Sequence, residues 1–161
     1  MTDLNTIINS EHAHEVFQGI RDHIFDTKCG NLESFESYSK RLSEGERTVI
    51  FAHCFIAEVT NGGLSQFLSN SSGDLAEDTR MAMRQIDATA AADALDDVRA
   101  VIFGGLPIPT DREARCDILF DWEDQDEERA KAFYAKHKLG WCKPVELAIA
   151  LYVRAHKEMF T

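Results

Sequence analysis

Glu58-Val-Thr-Asn-Gly-Gly-Leu-Ser-Gln-Phe-Leu-Ser-Asn-Ser-Ser-Gly73 is the stretch whose reading decides the fold. Adjacent glycines after an Asn predict a helix stop and a sharp reversal at Asn61-Gly62-Gly63, because glycine reaches positive φ at no steric cost. Upstream, Ser43-Glu-Gly-Glu46 matches a capping box and opens a strongly apolar helix through Val49, Ile50, Cys54, Ile56 and Val59. Phe51 and Phe55 give that helix a second apolar face. A helix that is apolar on most sides is central to its domain. Downstream, Leu64, Phe67 and Leu68 share the face of a short helix, Gln66 and Asn70 share another, and Asn70-Ser-Ser-Gly73 closes the piece.

Helical spacing continues outward in both directions. Ser10 is the expected N-cap of a first helix with Ala13, Val16, Phe17, Ile20 and Ile24 on its buried face, ending at Cys29-Gly30-Asn31. Leu32 to Lys40 reads as a loop or short helix. Beyond the central stretch, Asp74 is the expected cap of a helix carrying Leu75, Met83 and Ile86, and Ala88 to Phe103 forms another, with Ala91, Leu95, Val98 and Ile102 in phase. Gly104-Gly-Leu-Pro-Ile-Pro-Thr110 is an irregular connector. Asp111 to Trp122 reads as a helix with Ala114, Ile118 and Trp122 in phase. A further helix passes through Phe133 and Tyr134 and stops at Leu139-Gly140. Pro144 fits the first turn of the last helix, whose expected buried stripe is Val145, Ala148, Leu151, Tyr152 and Ala155. The expectation is all-α: one domain over residues 1–161 with seven to nine helices and no strand of period two.

Composition narrows the function. The chain has 161 residues, is 44% apolar and 28% charged, and carries a net charge of −11. That composition suits a packed core. No run approaches the ~20 apolar residues of a membrane span, and the N-terminus has no signal-peptide pattern, so a cytoplasmic protein is expected. The four cysteines, Cys29, Cys54, Cys116 and Cys142, are scattered and read as free thiols. Between Asp74 and Glu128 there are 16 acids and 5 bases, whereas the rest of the chain holds 12 of each. The whole net charge therefore sits in one contiguous third. Such a field repels nucleic acid and attracts basic partners, and a solvated surface accounts for the same residues.

Motifs for chemistry are sparse. Glu11-His12-Ala-His14 holds a Glu-x-x-His, but a di-iron site needs two such motifs and none follows. There is no His-Glu-x-x-His, no zinc spacing, no phosphate-binding glycine pattern and no Gly-x-Ser-x-Gly. His53 and Cys54 lie in an apolar run and read as packed side chains. No catalytic residue, metal or cofactor is expected. Two surfaces are candidates. One is acidic: Asp117, Asp121, Glu123, Asp124, Asp126, Glu127 and Glu128, with Asp93, Asp96 and Asp97 as a second group. The other is the polar set Glu58, Asn61, Gln66 and Asn70 around Gly62, Gly63 and Gly73. That set reads either as a ligand pocket or as groups that satisfy backbone atoms where two helices end.

Glu58-x-x-Asn61-Gly62-Gly63-Leu64-x-Gln66-Phe67-Leu68-x-Asn70-x-x-Gly73 resembles the signature of the DNA-mimic protein 19-like domain family, Glu-x-x-Asn-Gly-Gly-Phe-x-Gln-Phe-Phe-x-Asn-x-x-Gly. Leu64 and Leu68 replace the usual Phe, and both stay apolar. The resemblance covers about residues 40–155. It implies a helical protein, in a family most of whose members have no assigned activity. A characterised member is an acidic dimer that imitates the charge pattern of DNA and occupies the DNA-binding surface of a transcription factor. With the acidic third in place, the resemblance points to a non-enzymatic module that binds a basic or DNA-binding protein, with a homodimer as one state it allows; the charge and the lack of a long apolar run point away from direct contact with nucleic acid or membrane. An immunity-like or antitoxin role rests on the same acidic physics, and a small-ligand binder or enzyme would use the polar turn instead.

Overall fold

The computed structural model describes residues 3–29, 39–137, 140 and 142–160. They form eight α-helices: α1 Leu4–Ile8, α2 Ala13–Lys28, α3 Glu44–Ser69, α4 Ala76–Gln85, α5 Thr89–Val101, α6 Arg112–Gln125, α7 Glu127–Lys136 and α8 Cys142–Ala155. Two 3-10 turns accompany them, Ser71–Leu75 between α3 and α4 and Lys157–Phe160 after α8, and no strand occurs among the described residues. The all-α expectation with seven to nine helices holds.

Everything is built on α3. Ser43 caps it reciprocally: its Oγ accepts from the Glu46 N–H at 3.2 Å, and Glu46 Oε2 accepts from the Ser43 N–H at 2.7 Å. The Glu46 carboxylate is fully buried, and Lys28 Nζ reaches its Oε1 at 2.8 Å, so the cap also clamps the end of α2 onto the start of α3. Val49, Ile50, Phe51, Ala52, Phe55 and Ile56 are all buried along the first half of the helix, which is why a single sequence face could not be assigned to it. α2 packs on α3, α8 and α1; α4 packs on α3 and α5; α6 packs on α3 and α7.

Several expectations change. The first helix does not start at Ser10: α1 precedes it, capped by Asp3, and helical dihedrals resume only after His12. Ser10 Oγ instead accepts from the His12 N–H and bonds Glu15, a local side-chain turn that competes with capping. By contrast, Asn61-Gly62-Gly63 does break the central helix, into two helical segments that meet at a kink sharp enough to bring the Phe55 and Phe67 ring centroids to 5.1 Å. Only Gly62 (φ −149°, ψ 18°) and Gly63 (φ 74°, ψ −166°) leave the helical region, and α3 resumes at once. Asp74 does not cap the next helix, because Ser71–Leu75 is a 3-10 turn and the Asp74 carboxylate turns to Arg115.

Two helices also sit at a different rotation from the one the apolar pattern implied. On α6 the inward residues are Arg115, Leu119 and Trp122, while Ala114 and Ile118 are exposed. A buried arginine reads as polar in sequence and so pulled the expected face away from the real one. On α8 Val145, Ile149, Tyr152 and Val153 are buried; Leu151 is 57% exposed and Ala155 is also outward. The first-helix stop at Gly30-Asn31, residues 32–38 of the expected loop, and Leu139 lie outside the described residues.

Candidate functional site

The signature residues converge on one carboxylate. Glu58 Oε2 accepts from Gln66 Nε2 at 2.7 Å and from Asn70 Nδ2 at 2.9 Å, and Glu58 Oε1 accepts from Ser72 Oγ at 3.2 Å. The kink makes this possible. Without it Glu58 and Gln66 would be eight residues apart on a straight helix, ~12 Å along the axis. Gly62 has no side chain to obstruct Gln66, whose Cβ would lie 2.8 Å from a Cβ placed there. Gly63 holds a positive φ that a side-chain-bearing residue adopts only with strain. Partial burial opposes charge on Glu58, but the three donors outweigh it and hold its carboxyl below the ordinary range. Asn61 is exposed and stands outside this network. Of the sequence-predicted set, then, Glu58, Gln66 and Asn70 are brought together and Asn61 is not.

Stapled in this way, the C-terminal end of α3 presents its unpaired carbonyls to α6. Arg115 is 0% exposed. Its Nε donates to Leu68 O at 2.6 Å, Nη1 to Pro109 O and Thr110 O at 2.7 and 3.1 Å, and Nη2 to Asn70 O and Asp74 Oδ1 at 3.0 and 2.7 Å. Arg112 Nε adds a bond to Ser69 O at 2.7 Å, and Cys116 Sγ lies 3.6 Å from the same oxygen. Helix C-termini leave carbonyls without intrahelical partners and carry partial negative charge, so two guanidiniums are well matched to this end. Gly73 is required by the same contact: a Cβ there would lie 2.6 Å from Leu68 O and 2.7 Å from Arg115 Nε. Further along α6, Glu123 Oε1 accepts from Ser65 Oγ at 2.9 Å and from the Tyr134 hydroxyl at 2.6 Å. Burial and that carboxylate hold the Tyr134 proton in place.

Arg115, Arg112, Ser65 and Tyr134 were not singled out by sequence reasoning. The available signal was an arginine at the i, i+4, i+7 positions with Leu119 and Trp122, which together define a stripe once arginine is allowed inside.

The acidic residues divide by their partners. Asp93 and Asp96 meet Arg84, and Asp96 also meets Arg80 at 2.9 Å. Asp97 takes Lys136 at 2.6 Å and His137 at 3.2 Å, tying α5 to α7. Bonds from Arg84 and Arg80 hold Asp96 below the usual carboxylate range, and the Lys136 bond does the same for Asp97. Glu123 is committed inward. Asp126 caps α7 by accepting from the Arg129 N–H at 2.9 Å. Glu127 and Glu128 share Lys131.

Asp117, Asp121 and Asp124 remain. They are exposed, and no ion pair reaches them among the described residues. With Glu113 they occupy about 80° of the α6 circumference, spread over ~16 Å of its axis. The expected acidic surface of ten residues is thus reduced to one helix face, and the second group is largely neutralised.

Cys54 is carried on the first half of α3, where burial pushes its thiol up to about 11, an unreactive setting. His53 sits between the rings of Phe17 and Phe25, with centroids 6.2 and 6.0 Å away, and burial lowers its pKa. Among the described residues no three His, Cys, Asp or Glu side chains converge on a point that could hold a metal ion.

Comparison with known proteins agrees with the signature. A search of the curated proteins and one of the solved structures each returned no match. The model of the DMP19-like protein family matches residues 40–156, from just before the α3 cap to the end of α8. The chain belongs to the DMP19-like protein family.

Proposed function

We propose that this chain is a non-enzymatic, cytoplasmic protein-binding module whose α6 face engages the basic surface of a DNA-binding protein. The observation that carries the reading is the stripe Asp117, Asp121 and Asp124, which no ion pair reaches among the described residues, in a third of the chain whose five arginines are all otherwise engaged. Arg80 and Arg84 meet aspartates, Arg99 donates to Gly105 O, and Arg112 and Arg115 spend their donors on helix-end carbonyls. The outward face of α6 therefore carries a continuous run of carboxylates that none of these arginines offsets. Glu113 to Asp124 carries about one carboxylate per ~5.5 Å of helix axis, against one phosphate per ~3.4 Å on a DNA strand, a sparser array of the same sign. Displacement of DNA from a basic groove follows from that sign and spacing, and it is salt-sensitive.

A ligand pocket at the signature is not favoured, since Gln66 and Asn70 both spend a side-chain donor on the Glu58 carboxylate. The test is a low-salt pull-down with wild type and with the Asp117→Asn/Asp121→Asn/Asp124→Asn variant, eluted by salt and, separately, by duplex DNA. The expected result is a DNA-binding protein retained by wild type, released by DNA and absent with the variant. Equal retention by both overturns the reading.

A further inference from the structure

α6 exposes more than carboxylates. Phe120 is 47% exposed and Ile118 is 41% exposed, although the helix turns Arg115, Leu119 and Trp122 inward and needs neither for its packing. By helical rotation Phe120 lies about 20° to one side of Glu113, and Ile118 about 60° beyond Asp121 on the other. The acidic stripe is thus bordered on both sides by apolar side chains. Among the described residues Phe120 is the only aromatic in the set of exposed large apolar side chains.

A purely electrostatic surface gains nothing from an aromatic ring held in water. A docking surface does, because binding energy concentrates in a few apolar and aromatic contacts ringed by polar ones. We propose that α6 is the docking face for a basic amphipathic helix of a partner protein. That helix places Lys or Arg at i, i+4 spacing along Glu113, Asp117, Asp121 and Asp124, and seats its apolar seam on Phe120. The inference rests on the acidic-surface reading above and deepens it. Charge complementarity selects the occupant: consecutive carboxylates of the stripe rise ~6 Å or ~4.5 Å along α6, the rises of i, i+4 and i, i+3 pairs on an adjoining helix. Apolar contact at Phe120 would exclude water from the adjacent ion pairs and strengthen them.

The probe is a labelled peptide of about 18 Lys, Leu and Ala residues, long enough to be helical, with Leu on one face. Its control has the same composition in an order that spreads Leu around the helix. Binding is read by fluorescence anisotropy on the full chain between about 0.05 and 0.2 M salt. Wild type is expected to bind the patterned peptide about tenfold more tightly than the control. Phe120→Ser is expected to remove that preference while leaving the salt dependence unchanged, since no charge is lost. Asp117→Asn/Asp121→Asn/Asp124→Asn weakens both peptides.

Equal binding of the two peptides by wild type, or a Phe120→Ser variant that keeps the preference, overturns the inference and leaves the acidic-surface reading standing. Absence of binding by either peptide overturns both. Phe120 is outward, so an unchanged melting temperature of Phe120→Ser separates lost docking from lost folding.

Discussion

Replacing Arg115 by Met removes five hydrogen bonds from a site with no solvent exposure. Four of the acceptors are backbone carbonyls, on Leu68, Asn70, Pro109 and Thr110, and the fifth is the Asp74 carboxylate. Asp74 is 44% exposed, so water recovers much of its share and that ion pair alone is worth little. The carbonyls are the larger loss. Asn70 O keeps the Gly73 N–H at 3.0 Å, but each other buried carbonyl left without a donor costs about 1–3 kcal/mol. Methionine offsets part of this, because it puts an apolar side chain on the inward face shared with Leu119 and Trp122 and removes the desolvation of a cation.

A net loss of about 3 kcal/mol or more is expected. At ~2–4 °C per kcal/mol for a chain of this size, the melting temperature falls by at least ~6 °C. Arg115→Lys keeps the charge but brings three donors on a point charge in place of a five-donor planar fork, so it falls between the two. Calorimetry gives the magnitude, and amide hydrogen exchange gives the location: α6 and residues 68–74 lose protection first. If Arg115→Met melts within ~2 °C of wild type with exchange unchanged in α6, guanidinium binding and desolvation cancel, and the account of α6 as an arginine-anchored helix fails.

Four further outcomes follow from the same geometry. Glu58→Gln loses the charge that accepts three donors, so it is about 1–2 kcal/mol less stable near pH 7. The Glu58 carboxyl lies below its ordinary range in the folded state, so its contribution is complete above the unfolded pKa of about 4.5 and is lost as pH falls through the folded value; urea melts of the two proteins should converge in acid. Gly63→Ala puts a Cβ at φ 74°, ψ −166° and costs about 1–3 kcal/mol through strain alone, since nothing lies within 4 Å of the added carbon, as thermal melts would show. Gly73→Ala instead forces a Cβ onto Leu68 O and Arg115 Nε, so it should disturb α6 exchange as Arg115→Met does. Ser43→Ala removes the α3 cap and the bond to Met159 O, a loss of about 1–2 kcal/mol in urea titration.

The helical class, the α3 cap, the inward face of α2 and the Leu64, Phe67 and Leu68 cluster were all legible without coordinates. Each depends on neighbours three or four residues away, and that periodicity is written directly in the chain. The candidate site was half legible. Glu58, Gln66 and Asn70 were named together, yet their convergence on the Glu58 carboxylate depends on the angle of the bend at Gly62 and Gly63, which the sequence does not specify. The acidic third was visible as a count of charges, and sequence had no means of sorting Asp96 and Asp97, which meet arginine and lysine from other segments, from Asp117, Asp121 and Asp124, which meet none among the described residues.

Local pattern by itself determined that this chain is helical, acidic in one third and organised around a glycine-broken central helix. Tertiary structure alone decided which way α6 turns. A buried arginine needs acceptors from Leu68, Asn70, Asp74, Pro109 and Thr110, and most of these lie more than forty residues away from it. No periodicity within α6 encodes that demand. Once Arg115 faces inward, helix geometry puts Asp117, Asp121 and Asp124 outward with Phe120 beside them.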